Sequence, residues 1–122
     1  MRFLVVDDSQ TMRAILCTYA RNLSIETVEA ADGVEALERL GTSGPYDAVL
    51  IDWDMPRMNG MDLLKKIRAD HANDSVRTLM ITAQNTYEKV AEAISAGADD
   101  FLMKPLDEQM FVEKLCLLGL VS

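Results

Sequence analysis

Cysteine, histidine and positive charge are all scarce in this chain, and each scarcity removes a class of protein. Its 122 residues include two cysteines and one histidine. Cys17 and Cys116 lie inside helical patterns without metal-ligand spacing, and His71 stands alone near a helix end. They read as reduced, partly buried thiols and a surface histidine, not as a disulfide scaffold or a metal cage. Twelve Lys and Arg against twenty Asp and Glu leave a net charge of −8. No basic stripe offsets it, which argues against a nucleic-acid surface and points to proteins or a cation as partners. Long hydrophobic runs are also missing. Nothing approaches a bilayer span, and Met1 to Val6 is too short for a signal-peptide core before Asp7 and Asp8 interrupt it. No membrane contact is expected, and the cytoplasm is the expected location. No linker, repeat or low-complexity segment divides the chain, so residues 1–122 read as one domain able to bury a core without staples.

What the chain does have is an alternation of short apolar runs with helical patterns. Val49, Leu50 and Ile51 form an unbroken run of the kind buried on both faces of a parallel sheet, and the strand stops at Asp52 because Pro56 cannot continue a ladder. Phe3 to Val6 predicts a first strand ending on Asp7-Asp8. Ser9 caps the following helix, with Met12, Ile15, Leu16, Tyr19 and Leu23 at helical spacing. Ile25 to Ala30 predicts a second strand. Asp32-Gly33-Val34-Glu35 then reads as a capping box opening a helix with Val34, Leu37 and Leu40 inward, ended by Gly41, Gly44 and Pro45.

Beyond the central run, Asn59-Gly60 turns the chain into a helix with Leu63, Leu64 and Ile67 inward, closed by Asn73 and Asp74. Val76 to Ile81 is the fourth expected strand, ending on Thr82-Ala83. Asn85 to Glu88 caps a helix carrying Val90, Ala91 and Ile94, stopped at Gly97. Phe101 to Met103 is the fifth strand, ending at Lys104-Pro105, and Asp107 caps a last helix with Phe111, Leu115 and Leu118 inward. Strands alternating with helices in this way, joined by right-handed crossovers, make an α/β fold with a doubly wound parallel sheet.

In such a sheet the strand ends share one rim, where open α/β folds hold their ligands. Asp7, Asp8, Asp52, Thr82 and Lys104 should therefore converge. Taken singly, each has a bland reading as a turn residue, helix cap or solvated charge. Together they describe a site. Carboxylates within about 4 Å repel by about 4 kcal/mol per pair at an effective dielectric near 20, so the cluster needs a compensating cation. Oxygen ligands with an open side suit Mg²⁺. A carboxylate beside such an ion can attack a phosphoryl group to give an acyl phosphate, with Lys104 neutralising the equatorial oxygens and the Thr82 hydroxyl donating to one of them.

Val5-Val6-Asp7-Asp8-Ser9, Ile51-Asp52-Trp53-Asp54-Met55-Pro56 with Asn59-Gly60, Thr82-Ala83, Gly97-Ala98-Asp99-Asp100 and Lys104-Pro105 together resemble the receiver domain of two-component response regulators, over essentially the whole chain. The resemblance implies a flavodoxin-like sheet in the order 2-1-3-4-5. It implies that Asp52 accepts a phosphoryl group from a histidine kinase or phosphotransfer protein, that Asp7, Asp8 and Asp52 with the backbone carbonyl of Asp54 hold Mg²⁺, and that Thr82 and Lys104 bind the phosphoryl oxygens. It further implies a cis Lys104-Pro105 peptide and a switch in which Thr82 moves toward the phosphate while Phe101 turns inward. The fourth helix, fifth strand and fifth helix would then form the output face, here without a tyrosine hydroxyl.

Within the family the opening segment, Trp53 after the acceptor and the Leu118-Gly119-Leu120 ending are most similar to single-domain chemotaxis regulators, which would make the flagellar motor switch the target and a monomer the expected state. Gly97-Ala98-Asp99-Asp100-Phe101 is also similar to receivers of DNA-binding regulators, and a phosphorelay carrier would look the same; the missing basic linker after the last helix favours a single domain. Two readings of other classes fit less well. Asp52-Trp53-Asp54 matches the start of a haloacid-dehalogenase-like phosphatase motif, but in the wrong strand and followed by Pro56, so a turnover enzyme is not expected. Asp54 and Gln84 still line the expected path of attacking water. A flavin or nucleotide module would need a phosphate-friendly loop after the first strand, and Asp7-Asp8-Ser9-Gln10 is acidic there. Met55, Met58 and Met61 read as adaptable packing or as a soft contact surface for a phosphodonor.

Overall fold

The structure is a computed structural model that describes residues 1–55, 57–83 and 87–122. Its elements run β1 (Arg2–Val6), α1 (Gln10–Arg21), β2 (Glu26–Ala30), α2 (Gly33–Ser43), β3 (Ala48–Asp52), α3 (Gly60–Ala69), β4 (Arg77–Thr82), α4 (Tyr87–Ser95), β5 (Asp100–Met103) and α5 (Glu108–Leu117). A single 3₁₀ turn, His71–Asn73, lies between α3 and β4. All neighbouring strands are parallel and the sheet order is β2-β1-β3-β4-β5. The expected fold is met, including its strand order. No helix among the described residues is long and apolar enough to cross a membrane.

The period of two along each strand divides the core between the faces of the sheet. Leu4, Val6, Val49, Ile51 and Met80 pack with Leu63, Leu64, Ile67, Ala36 and Ala93 from α2, α3 and α4. Phe3, Val5, Leu50, Leu79 and Ile81 pack with Leu16, Cys17, Ala20, Phe111 and Leu115 from α1 and α5. Every residue of β3 is buried, which is why its sequence shows no polar alternation until Asp52.

Helix starts follow the expected chemistry. Ser9, Asp32, Asn59 and Asp107 each accept from a backbone N–H in the first turn. Glu35 reaches back to the Ala31 N–H at 3.4 Å, one residue earlier than a capping box requires. The cap expected over Asn85 to Glu88 begins outside the described residues, as does Pro56. Gly97, with φ of 109°, follows α4 as expected, in a conformation that side chains resist.

Other expectations are corrected. Helix α3 ends at Ala69, short of Asn73 and Asp74, because the Asp70 carboxylate accepts from Ala72 N–H and opens the 3₁₀ turn. Helix α2 runs through Gly41 to Ser43. Ile15 and Ile94 are exposed, not inward: Leu16, Cys17 and Ala20 make the buried seam of α1, and Ala93 is the buried residue of α4. Cys116 is exposed, whereas Cys17 is buried, and both are free thiols. Met61 is buried, and Met55 and Met58 pack against the core from its edge, which favours packing as the role of these methionines.

Gly60 sets how closely α3 can begin beneath the end of β3. Its N–H donates to the Trp53 carbonyl at 2.8 Å, and a Cβ there would sit 2.5 Å from the Asp52 carbonyl oxygen and 2.9 Å from Trp53 Cα. Both obstacles are backbone and cannot rotate away. Gly60→Ala is therefore expected to destabilise the fold by about 2 kcal/mol or more, read as a lower urea midpoint; an unchanged midpoint would show that the loop after β3 gives way freely.

Candidate functional site

The parallel register gathers the predicted residues at the carboxyl rim. Asp52 pairs in register with Ile81 and Thr82 with Met103, so Asp52, Thr82 and Lys104 end adjacent strands at one level. The Lys104 N–H donates to the Thr82 carbonyl at 2.8 Å, and the Trp53 N–H donates to the Ile81 carbonyl at 2.9 Å. On the other side of β3, Asp7 follows β1 directly. Its N–H donates to the Ala30 carbonyl at 3.1 Å, and its Oδ1 accepts from Ser9 N–H at 2.9 Å.

Asp7, Asp8 and Asp52 offer carboxylate oxygens that lie within 4.8 Å of one another. Asp7 and Asp52 are buried, whereas Asp8 is exposed and leaves the cluster open on its side. Lys104 Nζ donates to Asp52 Oδ1 at 3.0 Å and stands 3.7 Å from Asp7 Oδ2. That second oxygen is buried with no hydrogen-bond partner among the described residues. Three carboxylates thus face one ammonium, and two negative charges stay uncompensated when all are ionised. Burial pushes the Asp52 carboxyl up to about 6; the hydrogen bond from Lys104 pulls it back, and the charges of Asp7 and Asp8 raise it further. Burial likewise raises Asp7, against the Ser9 N–H and Lys104. Burial draws the Lys104 ammonium down, but the hydrogen bond and charge of Asp52, then Asp7 and Asp8, outweigh it and hold Lys104 above its ordinary value. The site is short of positive charge. An orphaned buried carboxylate oxygen among oxygen donors, open on one side, fits a hard divalent cation.

The remaining predicted residues fall around this cluster. Thr82 is buried at its rim. Asp54 is exposed in the bend after β3, and its carboxylate is not one of the three converging groups. Gln84 lies outside the described residues. The Lys104-Pro105 peptide is cis. Phe101, half-buried, sits on β5 with Lys114 Nζ 5.5 Å above its ring, and the same ammonium pairs with Asp100 at 3.1 Å. A shallow groove of about 290 Å³ runs beside it between Met103, Met110 and Leu117.

Sequence reasoning missed the supports. Arg57 adopts φ of 63° and donates through Nε and Nη2 to Asp32 Oδ2 at 2.9 and 2.6 Å, tying the loop after Asp52 to the start of α2. Nothing in a single sequence marks an arginine for a left-handed conformation. Lys89 Nζ lies 5.5 Å over the Trp53 ring, a contact between α4 and the residue after Asp52 that spacing alone does not suggest.

The electrostatics have a sign that can be measured. A carboxyl whose folded pKa is raised stabilises the fold fully below its unfolded value of 3.8, and that stability is lost as pH climbs through the folded value of about 6. The loss for Asp52 amounts to at most about 3 kcal/mol at one pKa unit per 1.36 kcal/mol. In chelator, Asp52→Asn should therefore be the more stable protein at pH 7.5, with the advantage shrinking toward pH 4. Urea midpoints that coincide at pH 7.5 would contradict this origin of the shift.

Comparison with known proteins agrees with the geometry. Residues 3–116 match the family model described as the response regulator receiver domain. The chain is 44% identical to chemotaxis protein CheY-3 of Vibrio cholerae, covering 94% of this chain and 88% of the relative. It is 42% identical to chemotaxis protein CheY1 of Helicobacter pylori strain J99, covering 94% of each. Among solved structures, chemotaxis response regulator CheY4 of Vibrio cholerae superposes with a TM-score of 0.90 at 29% identity, over 96% of this chain and 97% of that one. With its parallel sheet, acidic rim and strand-end lysine, the chain belongs to the response regulator receiver domain family and is closely related to the CheY chemotaxis regulators.

Proposed function

We propose that Asp52 is the phosphoacceptor of this receiver, and that its phosphorylation, supported by Mg²⁺, changes the surface formed by α4, β5 and α5. The observation that carries this reading is the Lys104 ammonium 3.0 Å from Asp52 Oδ1 inside a trio of carboxylates. An Asp52 oxygen attacks the phosphorus of a phosphohistidine. The new O–P bond forms as the P–N bond breaks, and the electron pair leaves with the imidazole nitrogen, which takes up a proton. Lys104 then faces the transferred oxygens, and Thr82, one residue beyond the register partner of Asp52, supplies a hydroxyl on the β4 side. Asp7 Oδ2, the carboxylates of Asp8 and Asp52 and the carbonyl of Asp54 would hold Mg²⁺. When bound, the ion supplies the positive charge that the cluster lacks and that a phosphoryl group demands. Asp52 so read is a stoichiometric acceptor whose return reaction is hydrolysis, with Asp54 beside the path of water, and not the nucleophile of a turnover enzyme.

A donor has to bring its histidine over the rim next to α1. There Met12, Ile15, Tyr19, Pro105 and Leu106 line an apolar cavity of about 460 Å³ that borders Lys104. Ile15, 38% exposed, and the cavity beside it suit the apolar side chains of a kinase or phosphotransfer domain. Elsewhere, the exposed Met110 and Leu117 line the groove beside Phe101, and Tyr87 and Ile94 are exposed large apolar residues of α4. They support an output partner docking there, the flagellar motor switch being the target that the chemotaxis relatives suggest.

Two measurements test this. Incubation with a small-molecule phosphodonor should add one phosphoryl mass only when Mg²⁺ is present, and Asp52→Asn should abolish the gain; modification at another residue would refute Asp52 as acceptor. Ile15→Asp should slow transfer from the phosphohistidine donor by about tenfold, the loss of one interface anchor, while leaving small-molecule phosphorylation unchanged. Equal rates from the protein donor would remove the α1 cavity as its docking place.

A further inference from the structure

The orientation of Asp7 is over-determined by groups outside the carboxylate cluster, and one of them is an arginine. Asp7 N–H is taken by the Ala30 carbonyl and its Oδ1 by the Ser9 N–H. Its backbone carbonyl accepts from Arg13 Nη1 at 2.6 Å. Among the described residues every polar atom of Asp7 thereby has a hydrogen-bond partner except Oδ2, which is buried 3.7 Å from Lys104 Nζ on a carboxylate that offers an oxygen to the cluster with Asp8 and Asp52. Arg13 is itself held: its side chain is 15% exposed, and its Nε pairs with Glu29 Oε1 on β2 at 3.1 Å. No acidic residue stands in the first turn of α1, whereas α2, α3, α4 and α5 each carry one. A cation directly after that turn runs against the helix dipole, so dipole preference does not account for Arg13.

We propose that Arg13 is a positioning residue for the cation site, fixing the Asp7 peptide so that Oδ2 alone is presented, with Glu29 anchoring the guanidinium from β2. The inference rests on the receiver reading of the acidic rim. Partners that orient a metal ligand typically govern affinity more than fold, because the ligand must be held in place before the ion arrives. Arginine suits this position because its planar fork reaches a carbonyl and a carboxylate at once, which a lysine ammonium at the same site does less well.

The test is Mg²⁺ binding alone, followed by calorimetry and by the fluorescence of Trp53, on the native protein, Asp52→Asn, Arg13→Gln, Arg13→Lys and Glu29→Ala, with urea unfolding in chelator for each. Arg13→Gln should weaken Mg²⁺ binding by about tenfold, the low end of what loss of a ligand-orienting partner costs, with Arg13→Lys between it and the native protein. The Mg²⁺ concentration for half-maximal phosphorylation by a small-molecule donor should rise in step, with the maximal rate at saturating Mg²⁺ preserved. General damage to the rim would lower that maximum as well. Glu29, exposed on β2, supplies the second arm: Glu29→Ala should weaken binding by a smaller factor and decides the matter if Arg13→Gln does not fold. Native affinity in the Arg13 and Glu29 variants, or a fall in maximal rate without a change in affinity, overturns the positioning role. A native protein that fails to bind Mg²⁺, or binds it as well after Asp52→Asn, overturns the receiver reading of the rim and this inference with it.

Discussion

The part-buried pair between Asp52 on β3 and Lys104 just beyond β5 is the interaction on which the rest of the molecule depends. It draws together two chain segments 52 residues apart and sets one ammonium against three carboxylates. A pair balanced in isolation would stabilise the fold and do nothing else. Here the balance is broken by Asp7 and Asp8: burial first, and then their charges, make Asp52 resist ionisation against the pull of Lys104, while the hydrogen bond and charge of Asp52, with Asp7 and Asp8, hold the Lys104 proton more tightly in spite of its burial. The remainder of the sheet, with β1 and β3 buried almost throughout, is what makes that imbalance tolerable. A hydrophobic core of this size can absorb a few kcal/mol of local repulsion, and the repulsion is what a bound cation would relieve.

The same arithmetic explains how a change of charge can be felt at a distance. Met80 lies in register with Phe101, and Thr82, two residues along β4, ends at the acceptor rim. A shift of Thr82 toward a new phosphoryl group would loosen packing one strand away from the Phe101 ring. That ring is half-buried and covered by Lys114, whose partner is Asp100. Helix α4, beside it, buries only Ala93, whereas α3 buries Gly60, Met61, Leu63, Leu64 and Ile67. Weakly buried elements are the ones whose alternatives lie close in free energy, so the face proposed for output includes a helix that costs little to repack.

Much of this was legible from residues that end strands. Asp7, Asp52, Thr82 and Lys104 each follow a short apolar run, and a parallel sheet must bring such residues to one edge whatever the details of packing. Caps at Ser9, Asp32, Asn59 and Asp107 were legible because a side-chain acceptor beside an N–H is a local matter. The facing of Ile15 and Ile94 was not. Helical spacing says which residues share a stripe, but how much of the stripe is covered depends on neighbours that sequence does not display, and both isoleucines sit on its uncovered margin. The end of α3 differs because Asp70 can continue a helix or cap a new turn, and here its carboxylate takes the Ala72 N–H and caps the turn. Arg13 and Arg57 were invisible as supports because the first acts on a backbone carbonyl, which sequence does not distinguish from any other, and the second on a carboxylate 25 residues away.

These arginines show how the fold reconciles a repulsive site with an ordered one. Charges that repel will spread unless their backbones are held, and holding them with further charges inside the cluster would cancel the deficit that makes the site useful. Arg13 and Arg57 act from outside: the first takes the carbonyl of Asp7 and pairs with Glu29, and the second fastens the loop after Asp52 to Asp32. The cation paired with the cluster among the described residues, Lys104, is a compact ammonium, suited to move from a carboxylate oxygen to a phosphoryl oxygen in the proposed transfer. Planar, multidentate cations fix the frame and a point charge faces the carboxylates, so geometry is kept while the electrostatic deficit survives.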